Sequence, residues 1–526
     1  MPKCTINGQE VEVKDGSTIM EAFSKLNEGI AHYCYHPGLS VAGVCRLCIV
    51  DIEGNPRPQI ACNTVVTEGM KITNKSEKIK EGVKWVLDFH LINHPLDCPI
   101  CDQAGECGLQ DQYMQFGKYS SEMAEPKVKK HKVVDLGPTV VLDSERCILC
   151  ARCVRFTDEV SKTNELGLFN RGDRTEIGTF AGKPLDNNYS LNTVDICPVG
   201  ALTSKDFRFR QRVWYLKDSE TVCTGCSTGC NVKVYYNKEG AFRVKPIYNE
   251  KVNGYWMCDE GRFIYQWVNR EFRLLKGRKK TQGQNGWQED IEAGALAQDA
   301  HKAIKAAGDK LAVVLTGQYS THEYQTLLKN LPTKKVYHWK NHPEKWEEFD
   351  GLLNRGDKNP NTKGLVKALS EASIKTDWNE LASGIKSGAI TTVIVAGPEN
   401  MAVYGDLEEK IQMIGAAPQV IWATACKSNL FDKFSGNVWL LPMKSYLEKN
   451  GSFINHQGLE QNFKKATTIV SEALTLEEAS YLLSGQSIPL PKVPSVDTFI
   501  ETNRRPDQVT LEHRKKNEFV YKRGSL

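Results

Sequence analysis

No stretch of this 526-residue chain comes near the ~18 consecutive apolar residues that a membrane-spanning helix requires. Direct membrane insertion is therefore not expected. Residues 1–8 hold neither an apolar signal core nor an arginine-rich amphipathic leader. A dominant charge is missing too. The formal net charge of +4 points to neither nucleic acid nor an anionic membrane surface. No glycine-rich fingerprint opens a helix after a strand, so no dinucleotide or flavin is expected on the chain. No catalytic-triad signature is present, and no catalytic residue is assigned. Cysteine nearly vanishes after residue 258, where only Cys426 remains.

The other cysteines, 16 of 17, crowd the first half. Fifteen of them, with His94, fall into four sets of four. The sets are Cys34, Cys45, Cys48 and Cys62; His94, Cys98, Cys101 and Cys107; Cys147, Cys150, Cys153 and Cys197; and Cys223, Cys226, Cys230 and Cys258. Clustered C-x2-C pairs in a long chain read as metal sites rather than a disulfide framework, which implies a reducing, cytosolic compartment. Soft thiolates suit iron–sulfur clusters or zinc.

The first set follows a hairpin signal at Asn7-Gly8 and a capping box, Thr18 to Glu21, that starts a helix toward Leu26. Two strands, a helix and a ligand loop resemble the [2Fe–2S] ferredoxin fold, although the C-x10-C spacing departs from the plant-type C-x4-C. The second set, H-x3-C-x2-C-x5-C, follows an apolar helical stretch that includes His90. His94 is the better-spaced ligand, and a histidine in place of a thiolate raises a cluster's potential. Residues 121–133 read as a solvated basic linker. In the third set, C-x2-C-x2-C is completed by Cys197-Pro198, and Thr157 stands where a bacterial ferredoxin's fourth cysteine would lie. That pattern is what a two-cluster domain retains after losing one [4Fe–4S] cluster. The fourth set's unequal x2, x3 and x27 spacing argues against a zinc ribbon, which pairs matching knuckles. Beyond residue 272 a helical pattern from Trp287 to Ile304 stops at Gly308. Apolar strands then follow at residues 311–315, 391–396 and 419–422, with a helix over 406–413. This alternation predicts an α/β domain with a parallel sheet. Residues 339–363 read as an insertion, and the chain from Arg504 as an extended tail.

In order and spacing these motifs resemble the G-subunit family of bacterial NADH-quinone oxidoreductases, the iron–sulfur subunits of the peripheral arm of respiratory complex I. The resemblance is carried by the four sets, the run from His94 to Asp111, residues 197–202, and Gly261-Arg262-Phe263. The fourth set is similar to the one that opens molybdopterin oxidoreductases, and residues 447–461 look like a segment of that fold. Only about 260 residues follow Cys258, so a shortened domain without molybdopterin is implied.

The resemblance implies an α+β multidomain chain. Residues 1–78 would be [2Fe–2S] ferredoxin-like, 79–120 a [4Fe–4S] segment with one histidine and three cysteine ligands, and 134–215 a [4Fe–4S] ferredoxin-like domain. Residues 216–272 would be a molybdopterin-oxidoreductase-type [4Fe–4S] domain, and 273–526 a shortened molybdopterin-oxidoreductase-like α/β domain. It implies one [2Fe–2S] and three [4Fe–4S] clusters, and no complete active site on this chain. Electrons would pass from an NADH/flavin subunit toward quinone, with the fourth set off the route. The partners would be other peripheral-arm subunits, on the cytoplasmic side of a bacterial inner membrane. The alternatives are a subunit of a soluble NAD-reducing hydrogenase, an iron-only hydrogenase, a formate dehydrogenase, and a zinc scaffold.

Overall fold

Asn7 and Gly8 both take positive φ, 49° and 88°, the left-handed pair that a tight hairpin turn demands. They join strands Lys3–Ile6 and Gln9–Glu12 in antiparallel register. A computed structural model describes residues 1–118, 125–284, 286–331, 333–375 and 377–489. The tail from Arg504 lies outside the described residues. The chain divides into two compact units, Met1–Trp214 and Tyr215–Lys492.

The first unit opens with a five-stranded sheet, ordered Gln9–Glu12, Lys3–Ile6, Met70–Thr73, Ile49–Ile52, Gln59–Ile60. Helix Ile19–Lys25 starts at the predicted capping box, with the Thr18 hydroxyl accepting from Glu21 N and the Glu21 carboxylate accepting from Thr18 N. It buries Met20 and Phe23 against Ile6 and Val50. Helix Glu77–Leu91 then buries Ile79, Val83 and Leu87. It ends three residues before His94. The described part of the basic segment after it is exposed over most of its length but not free: Lys127 Nζ donates to the Leu91 and Ile92 carbonyls at 2.7 and 2.9 Å. These are orphan acceptors of a helix C-terminus, where a cation is favoured. A three-stranded sheet (Leu202–Ser204, Val140–Leu142, Val134–Asp135) and helix Arg152–Glu159 complete the unit.

The second unit begins with an antiparallel sheet of Lys217–Val222, Asn231–Asn237 and Gly240–Pro246. A seven-stranded sheet follows. Five of its strands are parallel, in the order Asn437–Pro442, Gln419–Thr424, Thr392–Ala396, Leu311–Leu315, Val336–His338. Alternate residues serve opposite faces: Val313 and Leu315 pack with Leu296, Leu327 and Leu482, while Ala312 and Val314 pack with Leu381 and Ile411. Helices therefore cover both faces, as a parallel sheet requires. The expected long helix is shorter than its pattern. Gln288–Ile291 is an edge strand, paired to Gly277–Lys280, and the helix is Ala293–Ala307. Four residues of mixed polarity fit either period, and pairing decides. Within the polar stretch 339–363, Asn341, Asn359 and Asn361 are fully buried. Asn359 Nδ2 donates to Asn341 Oδ1 at 2.7 Å, so this segment is part of the fold.

Candidate metal centres

Cys34, Cys45, Cys48 and Cys62 are all buried in the loop and strand ends of the first sheet. Their thiols touch. Cys34 meets Cys45 and Cys62, and Cys48 meets Cys62. These contacts hold Cys34 and Cys48 below the usual thiol range and push Cys45 and Cys62 above it. Four thiols from positions 34 to 62 thus share one pocket.

In the second set Cys101 and Cys107 are buried and Cys98 is exposed. Burial pushes the Cys107 thiol up to about 12, and the nearby Cys101 adds to this. A methyl group at Gly200 would lie 2.3 Å from Cys101 Sγ, so the glycine makes room for the sulfur. The His94 imidazole has a buried Nδ1 without a hydrogen-bond partner. Burial pulls it down to about 4, with Asp97 opposing and Arg146 and Lys127 adding. It is therefore neutral at physiological pH, the form in which imidazole ligates a metal. Arg146 Nη2 pairs with Asp97 Oδ2 at 2.8 Å beside it. His90 is engaged otherwise: its Nδ1 meets the Val86 carbonyl at 2.7 Å, and its ring stands edge-on to Tyr33.

The third set lines a cavity. Cys147, Cys150, Cys153 and Cys197 face it, with Leu142, Ile177 and Val199 as apolar walls. Leu149 and Ala151, between the cysteines, take left-handed φ of 55° and 56° and so aim the flanking thiols inward. Burial pushes Cys147 up to about 12 and Cys150 up to about 11. Thr157 is fully buried, and its hydroxyl donates back to the Val154 carbonyl at 3.0 Å. The third set also adjoins the second, because Gly108 N donates to the Pro198 carbonyl at 2.8 Å.

The fourth set belongs to the second unit. Cys223, Cys226, Cys230 and Cys258 are buried, and Cys230 is pushed well above the thiol range by burial and then by the other three. Strand pairing folds the loop, with Cys223 N donating to the Cys230 carbonyl at 2.8 Å. Residues 447–461, singled out in the sequence, contribute to the hairpin Gly451–Ile454 and Glu460–Phe463 that braces this loop. Gln461 Nε2 donates to the Gly229 carbonyl at 2.8 Å and His456 N to the Ser227 carbonyl at 2.8 Å. Cys426 stands apart as a buried thiol against the Trp267 carbonyl.

Among the described residues no three His, Cys, Asp or Glu side chains close on one point as ligands of a single ion would. The donor chemistry nonetheless fits iron–sulfur clusters. Buried thiols forced toward the protonated state lose that penalty when a cationic core takes the proton's place. A cluster's ligands bind separate irons and need not converge on one point. Sequence reading missed Arg146, Arg152 and Arg155, whose only signal was their position beside cysteines.

Residues 3–77 match the 2Fe-2S iron-sulfur cluster binding domain, and residues 84–121 the NADH-ubiquinone oxidoreductase-G iron-sulfur binding region. Residues 137–203 match the ferredoxin-like domain of NADH-quinone oxidoreductase subunit 3, and 216–270 the molybdopterin oxidoreductase Fe4S4 domain. The NADH-quinone oxidoreductase G subunit of Rickettsia conorii is 36% identical over 64% of this chain and 49% of its own. The first half of the chain is similar to G subunits of NADH-quinone oxidoreductases. A mitochondrial relative in the potato Solanum tuberosum, the NADH dehydrogenase iron-sulfur protein 1, is 42% identical over 51% of this chain and 36% of its own. The chain spans about half or less of the length of these relatives. A solved NAD+-reducing [NiFe]-hydrogenase aligns with 28% identity over 40% of this chain and 91% of that one, at a TM-score of 0.37. The matched segments carry 2Fe–2S and 4Fe–4S binding domains, and the mixture of helices and sheets makes the fold an α+β multidomain one. Among the described residues no helix is long and apolar enough to cross a membrane.

Proposed function

We propose that this chain is an electron-relay subunit of an NADH:quinone oxidoreductase. Cys34, Cys45, Cys48 and Cys62 hold one [2Fe–2S] cluster. The His94, Cys147 and Cys223 sets each hold a [4Fe–4S] cluster, with His94 ligating through its unpaired nitrogen. When bound, these clusters supply one-electron transfer. The chain's own residues fix their spacing, exclude water and set the surrounding charge. Burial of most of the thiols, Cys98 apart, limits water at the sites, and Leu142, Ile177 and Val199 wall the third.

One observation carries this reading: the third set touches both of its neighbours within the first unit. The helix that bears Cys153 hydrogen-bonds the Cys34 loop through Arg155, and Pro198 hydrogen-bonds Gly108 beside Cys107. The third set thus stands between the other two, and on this reading electrons enter at the Cys34 set, pass the Cys147 set and leave from the His94 set. The Cys223 set lies off the route. NADH, flavin and molybdopterin sit on no residue of this chain. The partners are other peripheral-arm subunits on the cytoplasmic face of a bacterial inner membrane, and the modules follow the boundaries 1–78, 79–120, 134–215, 216–272 and 273–526.

Iron and acid-labile sulfide analysis of the purified protein tests this, with EPR of the reduced state. The reading expects a brown protein with about fourteen irons, matching sulfide, and no molybdenum. A colourless protein with about four zinc atoms would sink it.

A further inference from the structure

Helix Arg152–Glu159 begins two residues after Cys150 and carries Cys153. Three of its side chains reach across to the loop that follows Cys34. Arg155 Nη2 donates to the Cys34 carbonyl at 2.5 Å, and the same nitrogen lies 3.5 Å from the Cys150 carbonyl. Its Nη1 donates to the Ser40 carbonyl. Glu159 accepts from Ser40 N at 2.8 Å and from the Ser40 hydroxyl. Arg152 Nη1 donates to the carbonyl of Ile196, the residue before Cys197, at 3.0 Å, and its Nη2 to the Tyr35 carbonyl. Each guanidinium thus joins a carbonyl in the first ligand loop to one in the third set. Both Nε atoms are sealed from solvent without a partner. The charge of Arg152 is felt by Cys150, Cys197 and Cys34, with the like charge of Arg155 opposing it.

We propose that Arg152 and Arg155 form a cationic bridge that locks the Cys34 loop to the third set and raises the reduction potential of both centres. The inference rests on the relay reading. An added electron makes a cluster more negative. A fixed guanidinium beside it, in a partly dry environment, favours the reduced form. A rigid fork serves better than a lysine for anchoring, because it donates to two carbonyls at once without giving up charge. Neither residue ligates iron, so both are positioning residues.

The test is an EPR-monitored redox titration of the full, cluster-loaded chain, wild type against Arg155→Gln, Arg152→Gln and Arg155→Lys. The decisive readout is the first-set centre, whose ligands lie far from residue 155 in sequence. Either glutamine variant is expected to shift its oxidised-to-reduced equilibrium on the order of tenfold toward oxidised, a fall of about 59 mV for one electron. The centre of the Cys223 set serves as the unmoved reference. Arg155→Lys is expected to keep most of the wild-type midpoint. An unchanged or raised first-set midpoint in the glutamine variants overturns the proposal, even where the third set fails to load. So does an equal fall with lysine and glutamine, which would follow the anchor and not the charge. Absence of a [2Fe–2S] signal from the wild type is a different result, because it defeats the relay reading itself.

Discussion

A methyl group on Gly200 would lie 2.3 Å from Cys101 Sγ and 3.0 Å from Gln103 Cβ. No sulfur tolerates that approach, so in Gly200→Ala the Cys101 side chain must swing away. On the proposed ligation, the second-set EPR signal is expected to disappear while those of the first and third sets persist. Loss of all three signals together would mean general misfolding instead. A second residue-scale case lies in the other unit. Lys449 Nζ sits 2.9 Å from both Glu323 and Glu399, and all three side chains are almost wholly buried. One ammonium cannot fully neutralise two carboxylates. Burial pushes Glu399 up to about 7 against the pull of Lys449, with Glu323 adding to the rise and Arg273 opposing it. A folded value above the ordinary 4.5 adds stability that is fully present below pH 4.5 and is lost as pH climbs through about 7. Glu323 is held below its ordinary value, so its own contribution changes only in the more acid range. Thermal unfolding of Glu399→Gln against wild type should therefore show a flatter decline in Tm between pH 4.5 and 7. Parallel curves would refute the assignment.

At the scale of elements, Lys127 shows what a composition reading overlooks. It lies in a basic run, yet it caps helix Glu77–Leu91 by bonding the Leu91 and Ile92 carbonyls. Lys127→Met should destabilise the first unit by about 1 kcal/mol, the net worth of such bonds, as a lowered denaturant midpoint. A Lys127→Arg variant should recover most of it. Where one local signal decides an element, the sequence was enough. Asn7-Gly8 can only turn, and Thr18 with Glu21 can only start a helix. The ligand sets were legible for the same reason, since few chemistries tolerate cysteines at such short spacings. The rest depends on partners distant in sequence. Gln288–Ile291 is a strand because Gly277–Lys280 lies beside it. The role of Arg155 depends on a carbonyl 121 residues away. The buried asparagines of residues 341–361 look like solvent-facing polarity until their mutual hydrogen bonds are seen.

Across the whole molecule, the cysteine sets divide between the two units. Three share Met1–Trp214, and the fourth belongs to Tyr215–Lys492. Within the first unit the third set is central, since it is tied by hydrogen bonds to both the Cys34 loop and the Cys107 turn. Cys197 is its staple, arriving from the chain segment that also carries Pro198 against Gly108. On the proposed route, removing this staple should interrupt the relay in the middle and leave its entry intact. In the assembled complex with Cys197→Ser, NADH is expected to reduce the first-set centre at the wild-type rate, while reduction of the second-set centre falls to background. Cys258→Ser, in the other unit, should leave both rates unchanged. Freeze-quench EPR distinguishes these cases, because each centre is followed by its own signal. Normal second-set reduction in Cys197→Ser would mean that electrons bypass the third set, and the buried Tyr33 would then be the first place to look. Its backbone N lies 3.5 Å from Cys45 Sγ, and Cys107 and Cys45 both act electrostatically on its phenol.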